Sequence, residues 1–159
     1  MADKAVLGGL VTGPERTFDQ DPLFAFRLLA DIAMRALSPA INDPATGAQV
    51  LDTIESLLQV LVTRDIDVAD VADDAGTVRV VLALPSWEDY LRTALDDLLE
   101  SASRSPMVLL GARTLLTTVL NAAPPARQPP IIRRLQRTEQ LGTGNFPLIW
   151  HDATSAEED

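Results

Sequence analysis

The stretch from Arg16 to Gly47, RTFDQDPLFAFRLLADIAMRALSPAINDPATG, decides the fold reading of this chain. Asp21-Pro22 opens a helix: the carboxylate can accept from free N–H groups of the first turn, and proline lacks only a donor that would go unpaired there. From Leu23 to Ser38 the only polar side chains are Arg27, Asp31, Arg35 and Ser38. At 3.6 residues per turn they share a stripe roughly 80° wide. The rest is apolar: Leu23, Phe24, Phe26, Leu28, Leu29, Ile32, Met34 and Leu37, with alanines between. A helix apolar around most of its circumference belongs in a core or a subunit interface. Three charges in a run already short of ~20 residues exclude a membrane span here. The expectation is an interior helix, Pro22 to Leu37, on which the other helices pack.

The charged stripe has two readings. Arg27, Asp31 and Arg35 stand at i, i+4 and i+8, so Asp31 can pair with either arginine in a structural ion network. The sharper reading is a polar pocket in which one arginine is left over to fork onto a carboxylate or phosphate. Ser38-Pro39 ends the helix, because a residue before proline is pushed out of the α region. A short link (Ala40, Ile41, Asn42, Asp43) leads to Pro44, with Asp43 as the cap of a second helix antiparallel to the first. Asn42 and the N–H groups of that helix start would help hold an anion. The candidate ligand site is therefore Arg16, Arg27, Asp31, Arg35, Ser38, Asn42, Asp43 and Thr46.

The run R-T-x-x-Q-D-P followed by R-x-L-x-D-I-A-x-R-A-L-S-P-x-I-N-D-P resembles the soluble, C-terminal half of a bacterial family of predicted membrane proteins of unknown function. The resemblance extends from about Gly13 to about Leu141. It departs at Ala25 and Ala40, where glycine is expected, and at Gly47, where a larger residue is expected. It implies a partner region of membrane helices and supplies no reaction.

At 159 residues the chain suits one domain with a real core. A net charge of −10 argues against nucleic acid or anionic lipid as the main partner, since both need a basic footprint. Cysteine is absent, which removes disulfides, thiolate zinc sites and a thiol nucleophile. The one histidine, His151, sits near the C-terminus, so a triad could use only that residue, on a stretch read as tail. No phosphate loop, nucleophile elbow or zinc spacing is visible, and no cofactor is expected. With no signal peptide or membrane span in the sequence, a cytoplasmic location is expected, or the inner face of a membrane as part of a longer protein.

Further along, Pro44 to about Thr63 reads as an amphipathic helix burying Gly47, Val50, Leu51, Ile54, Leu57, Leu58 and Leu61. Gly47 costs helix propensity of ~1 kcal/mol, which points to a close neighbour. The acidic stretch Arg64 to Asp74 misses the calcium-loop pattern. Asp73-Asp74-Ala75-Gly76 reads instead as the turn of a hairpin between Val68–Asp73 and the strand Thr77 to Leu84. Such a hairpin is marginal in water, so it should lie on the helices or pair through its edge with a second subunit. Ser86 to Asp89 is a capping box opening a third helix. Trp87, Tyr90, Leu91, Ala94, Leu95, Leu98 and Ala102 form its buried face, and Glu88, Asp89, Asp96, Asp97 and Glu100 a solvated acidic one. Ser105-Pro106 starts a fourth, strongly apolar helix to about Asn121. A basic helix follows from Ile131 to Leu141, stopped by Gly142, with Arg133, Arg134 and Arg137 balancing the acidic third helix.

The fold class expected is mainly α: about five helices packed around a central apolar helix, with one small β-hairpin. Residues 1–14 form a lead-in, 15–150 a single helical domain and 151–159 a disordered acidic tail. The leading functional expectation is a non-enzymatic cytoplasmic assembly or regulatory domain, homo-oligomeric, related to a membrane-protein family. Small-anion or metabolite sensing comes second. Metal-dependent hydrolysis or transfer at Asp21, Asp31 or Asp43 comes last.

Overall fold

The computed structural model describes residues 21–66 and 70–155. Arg16 and the lead-in fall outside them. The chain is mainly α, and the described residues hold six helices: α1 Pro22–Ala36, α2 Pro44–Val62, α3 over residues 87–101, α4 Pro106–Ala122, α5 Gln128–Asn145 and α6 Pro147–Ser155. Between α2 and α3 a hairpin joins β1 Asp70–Ala72 to β2 Val78–Val81, antiparallel, with Val71 opposite Val80 and an irregularity between Val71 and Ala72.

Helix starts follow local chemistry. Asp43 accepts from the Thr46 N–H (3.1 Å) and hydroxyl (2.6 Å), with Pro44 in the first turn of α2. Ser86 and Asp89 complete the expected capping box at α3, and Ser105 caps α4. Asp21 behaves differently. Its side chain makes no capping bond to α1, and the first turn closes through its backbone carbonyl, which accepts from Phe24 N at 3.0 Å.

The centre of the core is displaced from where the sequence places it. In α4, Val108, Leu109, Ala112, Leu115, Leu116 and Val119 are all fully buried, against α2 on one side and α5 on the other. α3 buries every residue expected of it, and Leu99 besides, through a π-helical turn at Arg92–Asp96. α1 buries only Phe26, Ala30, Ala33 and Ala36, lying on α2 and the middle of α3, while Ile32 is 50 % exposed. The expected interior beam is thus a flank helix. Small alanines on its inner face let it approach closely, Leu23, Leu29 and Leu37 pack at its margins, and Leu28 and Ile32 are left outside.

Four further corrections concern the C-terminal part and the hairpin. Gly142 does not stop the fifth helix, which runs to Asn145; it is small because the Trp150 ring of α6 lies on it, where a Cβ would come within 2.2 Å of that ring. The helix also starts earlier than expected, at Gln128, with Pro129 and Pro130 tolerated in its first turn. Residues 151–155, expected in a tail, continue α6. The hairpin does not lie on the helices: all four residues of β2 are exposed. Its turn is as expected, with Gly76 at φ +78° and the Asp73 carboxylate accepting from Ala75 N, Thr77 N and Arg79.

Candidate functional site

The corner between α1 and α2 assembles half of the sequence-derived site. Asp31, Arg35, Asp43 and Thr46 line one cleft of ≈ 550 Å³ with Leu28, Ile32, Ala36 and Ile41. The corner is built by the chain reversing over Ser38 to Asp43, where the Ser38 carbonyl accepts from Ile41 N and Asn42 N, and Asp43 N returns to the Ala36 carbonyl at 2.8 Å. Asn42 takes the left-handed conformation (φ +50°) that this reversal needs, a region asparagine tolerates better than most side chains. Ser38 and Asn42 therefore shape the corner and do not line the cleft. Arg27 lies one turn away, beside Asp21, Phe24 and Thr93 in a separate smaller depression.

The expected ion network along α1 is not formed. Among the described residues Arg27, Asp31 and Arg35 make no salt bridge or side-chain hydrogen bond, and all three are exposed. In water an i, i+4 pair gains only a few tenths of a kcal/mol, too little to fix two long side chains. The helix start beyond them is already occupied: the Asp43 carboxylate takes the N-terminal donors, and the Thr46 hydroxyl and N–H hold its pKa below the usual carboxylate value. With Asp31 and Asp43 in the cleft against a single Arg35, the local charge is −1, which disfavours a simple anion. Asp21 stands at the opposite end of α1 from Asp43, and no cluster of three metal-ligating side chains occurs among the described residues.

A second polar assembly lies at the seam of α3 and α5, where the sequence predicts only charge balance. Arg134, buried to 7 % side-chain exposure, donates to both Asp96 oxygens (2.7 and 3.1 Å), to Glu88 (2.9 Å) and to the Pro130 carbonyl (3.1 Å). Arg133 adds a bond to Glu88 and Arg137 one to Glu100. Burial alone would lower the Arg134 pKa, but its bonds to Glu88 and Asp96 outweigh burial and raise it, so the guanidinium stays charged. The π turn displaces the helix face at Asp96, which therefore is not the merely solvated residue expected, while Asp97 remains exposed. Arg127 works similarly at another joint: its guanidinium caps the Leu61 and Val62 carbonyls at 2.9 Å and lies over the Trp87 ring, whose N–H donates to the Arg127 carbonyl. Nothing in the spacing along one helix reveals these ion pairs, because every carboxylate that Arg133, Arg134 and Arg137 meet is on another helix.

Residues 2–118 match a family described as predicted membrane protein (DUF2254). The chain belongs to the DUF2254 family. The match ends within α4, short of Leu141, so the arginines of α5 lie beyond it. The chain is similar to two uncharacterized proteins, Rv1290c of Mycobacterium tuberculosis (strain ATCC 25618 / H37Rv) and Mb1321c of Mycobacterium bovis, each 38% identical over 117 residues. Those residues are 73% of this chain and only 22% of each relative, so the chain spans about a fifth of their length. No solved structure matches it. Among the described residues no helix is long and apolar enough to cross a membrane.

Proposed function

We propose that this chain is a non-enzymatic assembly domain of a DUF2254 protein, which groups copies by associating with itself. The observation that supports this is the outward row of Leu28, Ile32 and Ile41 on α1 and its corner, at 37%, 50% and 54% exposure. A contiguous apolar surface rimmed by polar side chains marks a site of association. β2 adds exposed Val78, Val80 and Val81 on a strand whose outer edge is unpaired among the described residues. The proposed place is the cytoplasmic face of the membrane, in keeping with a cysteine-free chain. Sedimentation velocity tests the reading: the weight-average mass should rise toward a dimer with concentration, on the order of 10 µM for an interface of modest area. A strict monomer up to roughly fifty times that concentration ends it. A reporter fused within the matched region of a full-length relative, at the position of the loop between β2 and α3, should be active in the cytoplasm and silent outside.

The α1–α2 cleft supports a second reading, capture of a small metabolite. Its charges, Asp31 and Asp43 against Arg35, suit a ligand carrying both an amine and an acid group better than an anion. A thermal-shift screen of amino acids and amines should give a stabilising hit that Arg35→Ala abolishes. Failure of every compound at millimolar concentration removes this reading.

A further inference from the structure

We infer that the self-association proposed above is an antiparallel α1–α1 contact across a two-fold axis that passes between Leu29 and Ala30. The inference rests on that reading and adds the geometry. The outer face of α1 carries two parallel flanks: Arg27 and Asp31 on one, Leu28 and Ile32 on the other, all exposed. Leu28 and Ile32 also line a shallow apolar depression of ≈ 280 Å³ with Ala25 and Leu29, where the small Ala25 leaves room for an aliphatic knob.

A two-fold axis perpendicular to a helix reverses its direction and lays each flank against the same flank of its copy. Read forward, the charged flank runs Arg27 then Asp31; read backward, it runs Asp31 then Arg27. An antiparallel copy therefore sets Arg27 opposite Asp31 of the partner subunit, twice by symmetry. The same register sets Leu28 opposite Ile32 of the partner subunit on the apolar flank, and Arg35 opposite Phe24 of the partner subunit along the centre line. One register satisfies all three. A parallel copy, related by an axis along the helix, would lay the charged flank against the apolar flank of its copy and leave Arg27 and Asp31 without opposite charges. Charges that find no partner among the described residues are thus complementary to those of a second copy, and the apolar depression receives the side chains that border it.

The experiment is a charge exchange read by sedimentation. Arg27→Asp and Asp31→Arg should each raise the dissociation constant at least ~20-fold, since either puts two like-charge pairs at the centre. Mixed at equal concentration, the two variants should recover a dimer, because the heterodimer restores opposite charges on the whole flank. The double variant should recover it alone. All four residues are exposed, and circular dichroism confirms that each variant is folded. The cysteine-free chain allows a direct check of register: Leu28→Cys mixed with Ile32→Cys should form a disulfide under mild oxidation faster than either variant by itself. A wild-type dimer that survives Arg27→Asp, or single variants that weaken it without recovery on mixing, overturns the α1 geometry and leaves self-association standing. A monomeric wild type overturns both.

Discussion

Two sets of charges on helices, the Arg27–Asp31–Arg35 line on α1 and the Arg133–Arg134–Arg137 group on α5, look alike as residue types and behave oppositely. On α1 the opposite charges are neighbours within one helix, stay in water and make no bond among the described residues. On α5 the three arginines reach across a seam to Glu88, Asp96 and Glu100 of another helix, and one of them is buried there. The difference is what surrounds the pair. Water screens the first set and supplies hydrogen bonds at no ordering cost. In the seam, neighbouring helices already hold the backbone, so a planar fork meets two carboxylates with little further entropy lost. Helices packed side by side hold these ions in place, whereas the exposed face of α1 leaves its three charges apart.

The largest effect that sharpens this contrast is expected from Arg134→Ala. It leaves Asp96 and Glu88 facing each other over a cavity, and it should cost about 2–3 kcal/mol in urea unfolding, below a fully buried ion pair because both carboxylates keep contact with water. A loss under ~0.5 kcal/mol would mean that the seam holds through apolar contacts alone. Next comes Gly142→Ala, whose methyl group collides with the Trp150 ring. α6 should undock at a cost of about 1–2 kcal/mol, with red-shifted emission from Trp150 measured in a Trp87→Phe background. Unshifted emission would show that the ring can slide along α5.

Acid should act more mildly. Asp89 is held below the ordinary aspartate value of 3.8 by Ser86, through its hydroxyl and its backbone N–H, and Asp43 likewise by Thr46. A depressed carboxylate contributes stability that is fully present above the unfolded value and lost as pH falls through the folded one. The melting temperature should therefore drop below about pH 4, and Asp89→Asn should flatten that drop. The smallest effect belongs to the α1 charges: in dilute monomer Asp31→Ala should change stability by less than about 0.5 kcal/mol, against the several-fold weaker self-association expected of the same variant. A large loss of monomer stability would mean that the charge serves the fold.

Much of the fold could be read along the chain because its signals are local. Asp43-Pro44, Ser86 with Asp89 and Ser105-Pro106 fix helix starts with bonds spanning three residues, and the turn at Asp73 closes around its own carboxylate. Period alone gives most of the buried faces of α2 and α3, but Leu57, expected inside, is 37% exposed, Val62 is buried beyond the expected set, and the π turn brings Asp96 to the seam. The candidate site was legible only as composition. Asp31, Arg35, Asp43 and Thr46 do meet at one cleft, but Ser38 and Asn42 make its corner, and Arg27 faces another way.

The amino-acid order alone determined where α1, α2, α3 and α4 begin, and that no thiol chemistry is available. Tertiary packing decided which helix is central. Apolar content tells how much surface a helix could bury but not which partner gets close, and α1 meets its neighbours through Ala30, Ala33 and Ala36, leaving Leu28 and Ile32 outside. It also decided which ions matter, because the energy of a charge pair depends on burial and on the direction of the opposing helix, and neither is a property of spacing along one strand of sequence.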